Sequence, residues 1–194
     1  GYGLSKNILG KYNLDEAVND VINLVTNLTL TDYILVAHSM SSMIAQHITS
    51  KDKRVNKLIL LTPISYKGVK STQKAKDNLL AQMEKNSGKI EDIVEQSSKR
   101  YNQTWRDYRI NLAYNSSILE ARIAYMNMYL NVDYESNFEK LEIDIPINII
   151  TGKYDFPVFS KKEVVKYFEE FEDVEIVEFE EAGHYPMIEC PVLF

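Results

Sequence analysis

Residues 33–52 read YILVAHSMSSMIAQHITSKD, and the fold turns on what the chain does at Ser39 in the middle of them. The run 33–37 is short and apolar, suited to a strand buried on both faces, while 43–52 carries a helical pattern. A serine between a strand end and a helix start can be held in a strained turn, with its hydroxyl aimed into a site and the next backbone N–H aimed at a developing oxyanion. The side chains two before and two after must be small, because the strand and helix backbones nearly touch. Here they are Ala37 and Ser41 rather than glycine, so the expected turn is crowded but open to the chain.

Working outward, the pattern repeats. Residues 14–28 place Leu14, Val18, Val21, Ile22 and Val25 at helical spacing, with Asn13 as the expected N-cap and Glu16 three residues on. KLILLT at 57–62, closed by Pro63, and INIIT at 147–151, between Pro146 and Gly152, read as buried strands. VEIVEFE at 174–180 alternates and reads as a strand nearer an edge. Between the last two, Ser160 and Glu163 are spaced for a capping box ahead of Val164, Val165, Phe168 and Phe171. Strands and helices alternate, which predicts an α/β fold with a mostly parallel open sheet and flanking helices.

One block breaks the rhythm. Residues 66–137 offer no strand signal but carry helical patterns such as Ala75/Leu79/Leu80/Met83 and Ile118/Arg122/Tyr125/Met126/Tyr129. The expectation is a core made of 1–65 and 138–194, with 66–137 as a helical cap inserted over the sheet's carboxyl edge. Extra helices packed on one face of the sheet are the alternative.

Composition narrows the function classes. The 28 acidic and 22 basic side chains give a formal charge of −6 with no Lys/Arg block, which argues against a nucleic-acid partner. Cys190 is the single cysteine, and no Cys/His cluster has metal-binding spacing, so neither an internal disulfide nor a metal site is expected. The composition suits a reducing, cytoplasmic setting. No apolar run is long enough to span a bilayer.

The chemistry-bearing residues fall at strand ends. TGKYD sets Asp155 just past the third strand and AGHYP sets His184 just past the fourth. In a parallel sheet all carboxyl ends lie along one edge, so Ser39, Asp155 and His184 are expected to meet there, with the Met40 N–H as an oxyanion donor. Asp133 and Asp144 remain alternatives for the acid. His38 points the other way along its strand and is expected to pack or bond backbone, and His47 to lie on the surface or pack. Trp105, Tyr108, Tyr125, Met126 and Tyr129, together with Tyr101, Tyr114 and Met128, are candidates to line an apolar pocket.

In this order of serine, acid and histidine the chain resembles the α/β-hydrolase superfamily. AHSMSS is similar to that family's G-H-S-M-G-G elbow, TGKYD to its acid turn, GHYPMIECP to its histidine loop, and the opening GYGLS to the loop after its fourth strand. The resemblance implies a serine hydrolase, carboxylesterase-like, cleaving a carboxylic ester, thioester or lactone of an apolar or aromatic substrate without a cofactor. A serine nucleophile sets the chain apart from the family's haloalkane dehalogenases and epoxide hydrolases. It further implies that the first four strands and the loop with the second oxyanion donor are not in this sequence. The chain would then be part of a longer hydrolase, or would pair its open strand edge with a second copy in a homo-oligomer. Two other classes stay in view: a ligand receptor of the superfamily with a retained triad, suggested by the H-S-V-S-x-M-I elbow that AHSMSSMI also resembles, and an inactive fold.

Overall fold

The computed structural model describes residues 1–84, 89–97, 102–134 and 138–194. In chain order its elements begin α1 (Leu14–Asn27), β1 (Tyr33–His38), α2 (Ser41–Lys51), β2 (Val55–Leu61) and β3 (Val69–Lys70). Helices α3 (Gln73–Glu84), α4 (Lys89–Ser97), α5 (Gln103–Asn115) and α6 (Leu119–Tyr129) follow. The chain continues through β4 (Leu130–Asn131), β5 (Ile147–Gly152), α7 (Lys161–Phe168), β6 (Val174–Phe179) and α8 (Pro186–Glu189).

The main sheet runs β1-β2-β5-β6 and every pair is parallel. Register lines up Leu35, Leu58, Ile147 and Val174 in one row, and Ala37, Leu60, Ile149 and Ile176 in the next. These rows share one face, where they pack with Val164 and Phe168 of α7 and with Phe171 and Tyr66. A second cluster of Val18, Ile48 and Val55 seats α1 and α2 beside the same sheet. The opposite face differs from the expectation for β1, because Ile34 and Val36 are 55% and 54% exposed. The packed helices cover the rows through Leu35 and Ala37, so one face of β1 is buried rather than both. β1 lies at the sheet's edge, as the resemblance implied.

Local signals were met in part. Asn13 caps α1, its side-chain oxygen accepting the Glu16 N–H at 2.9 Å. The Glu16 carboxylate instead accepts from the Lys11 and Tyr12 N–H groups at 2.9 and 2.7 Å, which holds its pKa below the usual carboxylate value. At α7 the expected capping box does not form. The Ser160 hydroxyl is taken by the Pro157 carbonyl at 2.7 Å, within the short 3-10 turn before the helix, and Glu163 pairs with Lys166.

Helices α3–α6 come between β2 and β5 in the chain and build their own cluster around Met83, Val94, Met126 and Leu130. The ends of this insertion meet in a two-stranded pairing of Val69 with Leu130 and Lys70 with Asn131, which the sequence did not reveal. Two-residue strands are too short to leave a period. Gly68 allows the closure: it has φ +88° and a Cβ there would lie 2.5 Å from the Tyr129 carbonyl.

Another glycine holds the sheet's carboxyl edge together. A Cβ on Gly152, the last residue of β5, would come within 2.0 Å of the Gly183 carbonyl and 2.8 Å of that of Ala182. The two loops are also bonded, Tyr154 N–H donating to Ala182 at 2.9 Å. A side chain here must displace backbone. Gly152→Ala is therefore expected to lower stability by about 1–3 kcal/mol, read as a drop in the urea midpoint. An unchanged midpoint would contradict the close approach.

Candidate active site

The site begins where β1 ends. Ser39 stands at φ 54°, a left-handed conformation uncommon for a residue with a side chain. Its N–H donates to the Leu61 carbonyl at 2.9 Å, continuing the β1–β2 ladder by one residue, while its carbonyl accepts from Ser42 N–H and from the buried Ser42 hydroxyl at 2.9 and 2.6 Å. Strand and helix thus fix the turn from both sides. With Ala37 and Ser41 as its small neighbours, the turn forms without glycine.

Three strand ends deliver three side chains. His184 Nε2 lies 2.9 Å from Ser39 Oγ, and His184 Nδ1 lies 2.9 Å from both oxygens of Asp155. The Asp155 side chain is fully buried, and the Phe156 N–H donates to its Oδ1 at 2.6 Å. These partners assign the neutral tautomer: Nδ1–H donates to the carboxylate, leaving Nε2 to accept from the serine hydroxyl. Asp133 and Asp144, the other two candidates for the acid, are exposed and play no part here. The Met40 N–H has no acceptor among the described residues, which leaves it open to a ligand.

The histidine loop is pinned by residues the sequence reading passed over. Glu189 accepts from the Gly183 and Tyr185 N–H groups at 2.9 and 3.0 Å, bracketing His184. The His184 carbonyl accepts from His38 Nε2–H at 2.6 Å and from the Thr62 hydroxyl at 3.4 Å. Phe159 faces the His184 imidazole at 4.4 Å between ring centroids. A carboxylate five residues after His184 was the one available signal for Glu189; Thr62 carried none. His38 thus bonds backbone, and His47 is buried with a ring nitrogen 3.0 Å from the Tyr66 carbonyl. Cys190 is buried and free.

A cavity of about 250 Å³ opens beside Met40. It is lined by Tyr125, Met126 and Tyr129 of α6, as the sequence suggested, and by Tyr2 and Arg109. Trp105 and Tyr108 do not line it, which corrects that part of the expectation. On α5 the cavity is faced by Arg109 and Ala113, and just past the helix end by Ser116. Trp105 lies a turn before this stripe and Tyr108 is rotated by about 100° from Arg109; their rings pack on each other at 5.4 Å. Tyr114 and Met128 are likewise outside the lining, and Tyr101 lies outside the described residues. A larger hollow of about 700 Å³ between β3 and α7 contains none of Ser39, Asp155 or His184, so its size does not mark the site. Among the described residues no group of three His, Cys, Asp or Glu side chains is placed to hold a metal, and no helix is long and apolar enough to cross a membrane.

Burial, with smaller contributions from the nearby His184 and Arg109 charges, pushes the His38 pKa down from 6.5 to about 4. The unfolded chain therefore binds the extra proton between these values, so the stability from this neutral ring is complete above pH 6.5 and is lost as pH falls toward 4. His38→Gln is expected to flatten the wild-type loss over that window, which has a slope of at most about 1.4 kcal/mol per pH unit. Urea midpoints at several pH values check this; equal pH dependence in both proteins would contradict it.

Residues 1–191 match the family model described as serine aminopeptidase, S33. No curated protein matches the chain in sequence. Among solved structures it is similar to the esterase EaEST from Exiguobacterium antarcticum, at 19% identity and a TM-score of 0.82 over 95% of this chain and 72% of the esterase. It is also similar to a bromoperoxidase from Bacillus anthracis, at 16% identity and a TM-score of 0.84 over 99% of this chain and 75% of that one. The enol-lactonase from Burkholderia xenovorans LB400 aligns at 13% identity and a TM-score of 0.74 over 95% and 71% of the two chains. At these identities the structural likeness speaks to fold alone. The family match spans nearly the whole sequence and agrees with the parallel sheet and its serine turn: the chain belongs to the serine aminopeptidase S33 family of the α/β-hydrolase superfamily.

Proposed function

We propose that the chain is a serine hydrolase that cleaves a carboxylic ester, or the related thioester or lactone, through Ser39, His184 and Asp155. The observation that carries this reading is the hydrogen-bonded line from Ser39 Oγ through the His184 ring to a fully buried Asp155, with 2.9 Å at each step. In the first half-reaction His184 Nε2 takes the Ser39 proton as Oγ attacks the ester carbonyl. Asp155 keeps the imidazole in the required tautomer and stabilises its charged form. The Met40 N–H donates to the oxyanion. His184 then gives its proton to the departing alcohol, and water, activated by the same ring, releases the acid from Oγ.

On this reading the helical insertion acts as a cap, with α5 and α6 closing the cavity beside Met40. Tyr125, Met126 and Tyr129 make that cavity suited to an apolar or aromatic group. Recognition of a free amino terminus calls for an anionic partner, and among the described residues no Asp or Glu lines this cavity. That favours an ester over an amino-terminal peptide substrate.

Turnover of p-nitrophenyl butyrate tests the reading. The chain is expected to release many equivalents of p-nitrophenol, Ser39→Ala to fall to background, and Asp155→Asn to lose about 10⁴-fold in kcat. Release that stops after one equivalent would favour a receptor with a retained triad. Equal turnover by Ser39→Ala would refute the assignment of the nucleophile.

A further inference from the structure

The cavity beside Met40 is apolar in shape but not in charge. Two arginines reach it, Arg109 from α5 and Arg122 from α6, and among the described residues no carboxylate does. A guanidinium has five N–H donors in a planar fork and stays charged, so its donors are worth following one by one. Arg109 lies over the Tyr185 ring at 4.1 Å and donates through Nη2 to the Tyr185 hydroxyl. Arg122 donates through Nη1 to the Ala113 carbonyl at 3.1 Å and lies 5.7 Å from the centre of the Tyr114 ring. In both residues, as in Arg106, Nε is buried with no hydrogen-bond partner among the described residues.

Among the described residues neither arginine meets a carboxylate, although Glu91 is near. Glu91 is occupied by the Tyr114 hydroxyl, 2.9 Å from each of its oxygens. Arg106, one turn before Arg109 on the same helix, shows the alternative: its Nη1 lies 2.7 and 2.6 Å from the two oxygens of Glu95 at the surface. A chain of net charge −6 has thus left two cations in one small hollow with neutral partners. Both side chains are half-buried, and withdrawing a charge even partly from water without a counter-charge is costly. A bound anion removes that cost, and a carboxylate matches the guanidinium fork in shape as well as sign.

We propose that Arg109 and Arg122 form a carboxylate subsite, so that the ester cleaved at Ser39 carries a free carboxylate on its acyl side. This rests on the reading of Ser39 as the nucleophile. The position of Arg109 limits the substrate further. It touches Tyr185, the residue next to His184, and Met40 lines the same cavity, so the anion sits close to the reacting carbonyl. Half-esters of short dicarboxylic acids, or aromatic acids of similar length, fit a cavity of about 250 Å³. A role for Arg109 only as a strap between α5 and the histidine loop would leave Arg122 unexplained, since its contacts to Ala113 and Tyr114 stay within the insertion.

The test compares kcat/KM for mono-p-nitrophenyl adipate and p-nitrophenyl hexanoate, which differ in the terminal carboxylate, after subtraction of spontaneous hydrolysis. The wild-type chain is expected to favour the adipate at least tenfold. Arg109→Met and Arg122→Met are each expected to cut that ratio at least tenfold, mainly through KM. A wild-type preference for hexanoate, or a ratio unmoved by both substitutions, overturns the subsite. If neither ester is turned over, the nucleophile assignment fails by itself and the subsite is read by calorimetry instead. Adipate binding to Ser39→Ala that weakens at least tenfold when Arg122→Met is added supports the subsite, and no adipate binding to Ser39→Ala overturns it.

Discussion

A serine held at φ 54° between a strand and a helix is the constraint on which the rest of this site depends. Backbone strain of this kind costs about 1–3 kcal/mol and persists only where the surroundings over-determine it. Here they do so through the Leu61 carbonyl on one side and Ser42 on the other. The conformation turns Oγ toward His184 and leaves the Met40 N–H without a partner among the described residues. A relaxed extended serine at the same position would continue the strand and aim its hydroxyl elsewhere.

Parallel pairing converts this local turn into a three-residue arrangement. β1, β5 and β6 end on the same edge, so the turns that follow them converge although Ser39 and His184 are 145 residues apart. The convergence is tight. Gly152 lies against the Gly183 carbonyl, Glu189 grips the backbone on both sides of His184, and His38 reaches across the sheet to the His184 carbonyl. Backbone contacts fix the main chain of the histidine loop, and Asp155 and Ser39 bond the ring itself.

The parts of this arrangement that follow a one-dimensional rule were legible in the sequence. Three strands of the main sheet are apolar runs and the fourth alternates, and the serine, acid and histidine each follow one of them closely. What escaped depends on partners distant in sequence. Arg106 and Arg109 look alike in TWRDYRINL, yet one pairs with Glu95 and the other stacks on Tyr185. Trp105 and Tyr125 are equally aromatic, and only helix rotation and length decide which one reaches the cavity. Ser160 is correctly placed for an N-cap, but its hydroxyl finds a nearer acceptor in the Pro157 carbonyl. The pairing of β3 with β4 has no sequence signal beyond Gly68, because two residues cannot show a period.

The central claim is that Ser39 is an activated nucleophile. Intact-mass analysis after exposure to a fluorophosphonate tests it most directly, since that reagent needs the serine, its base and a donor to the oxyanion at once. The account predicts one phosphonyl adduct per chain in the wild type and none in Ser39→Ala. A folded wild-type chain that stays unlabelled, or an adduct that survives in Ser39→Ala, would contradict it.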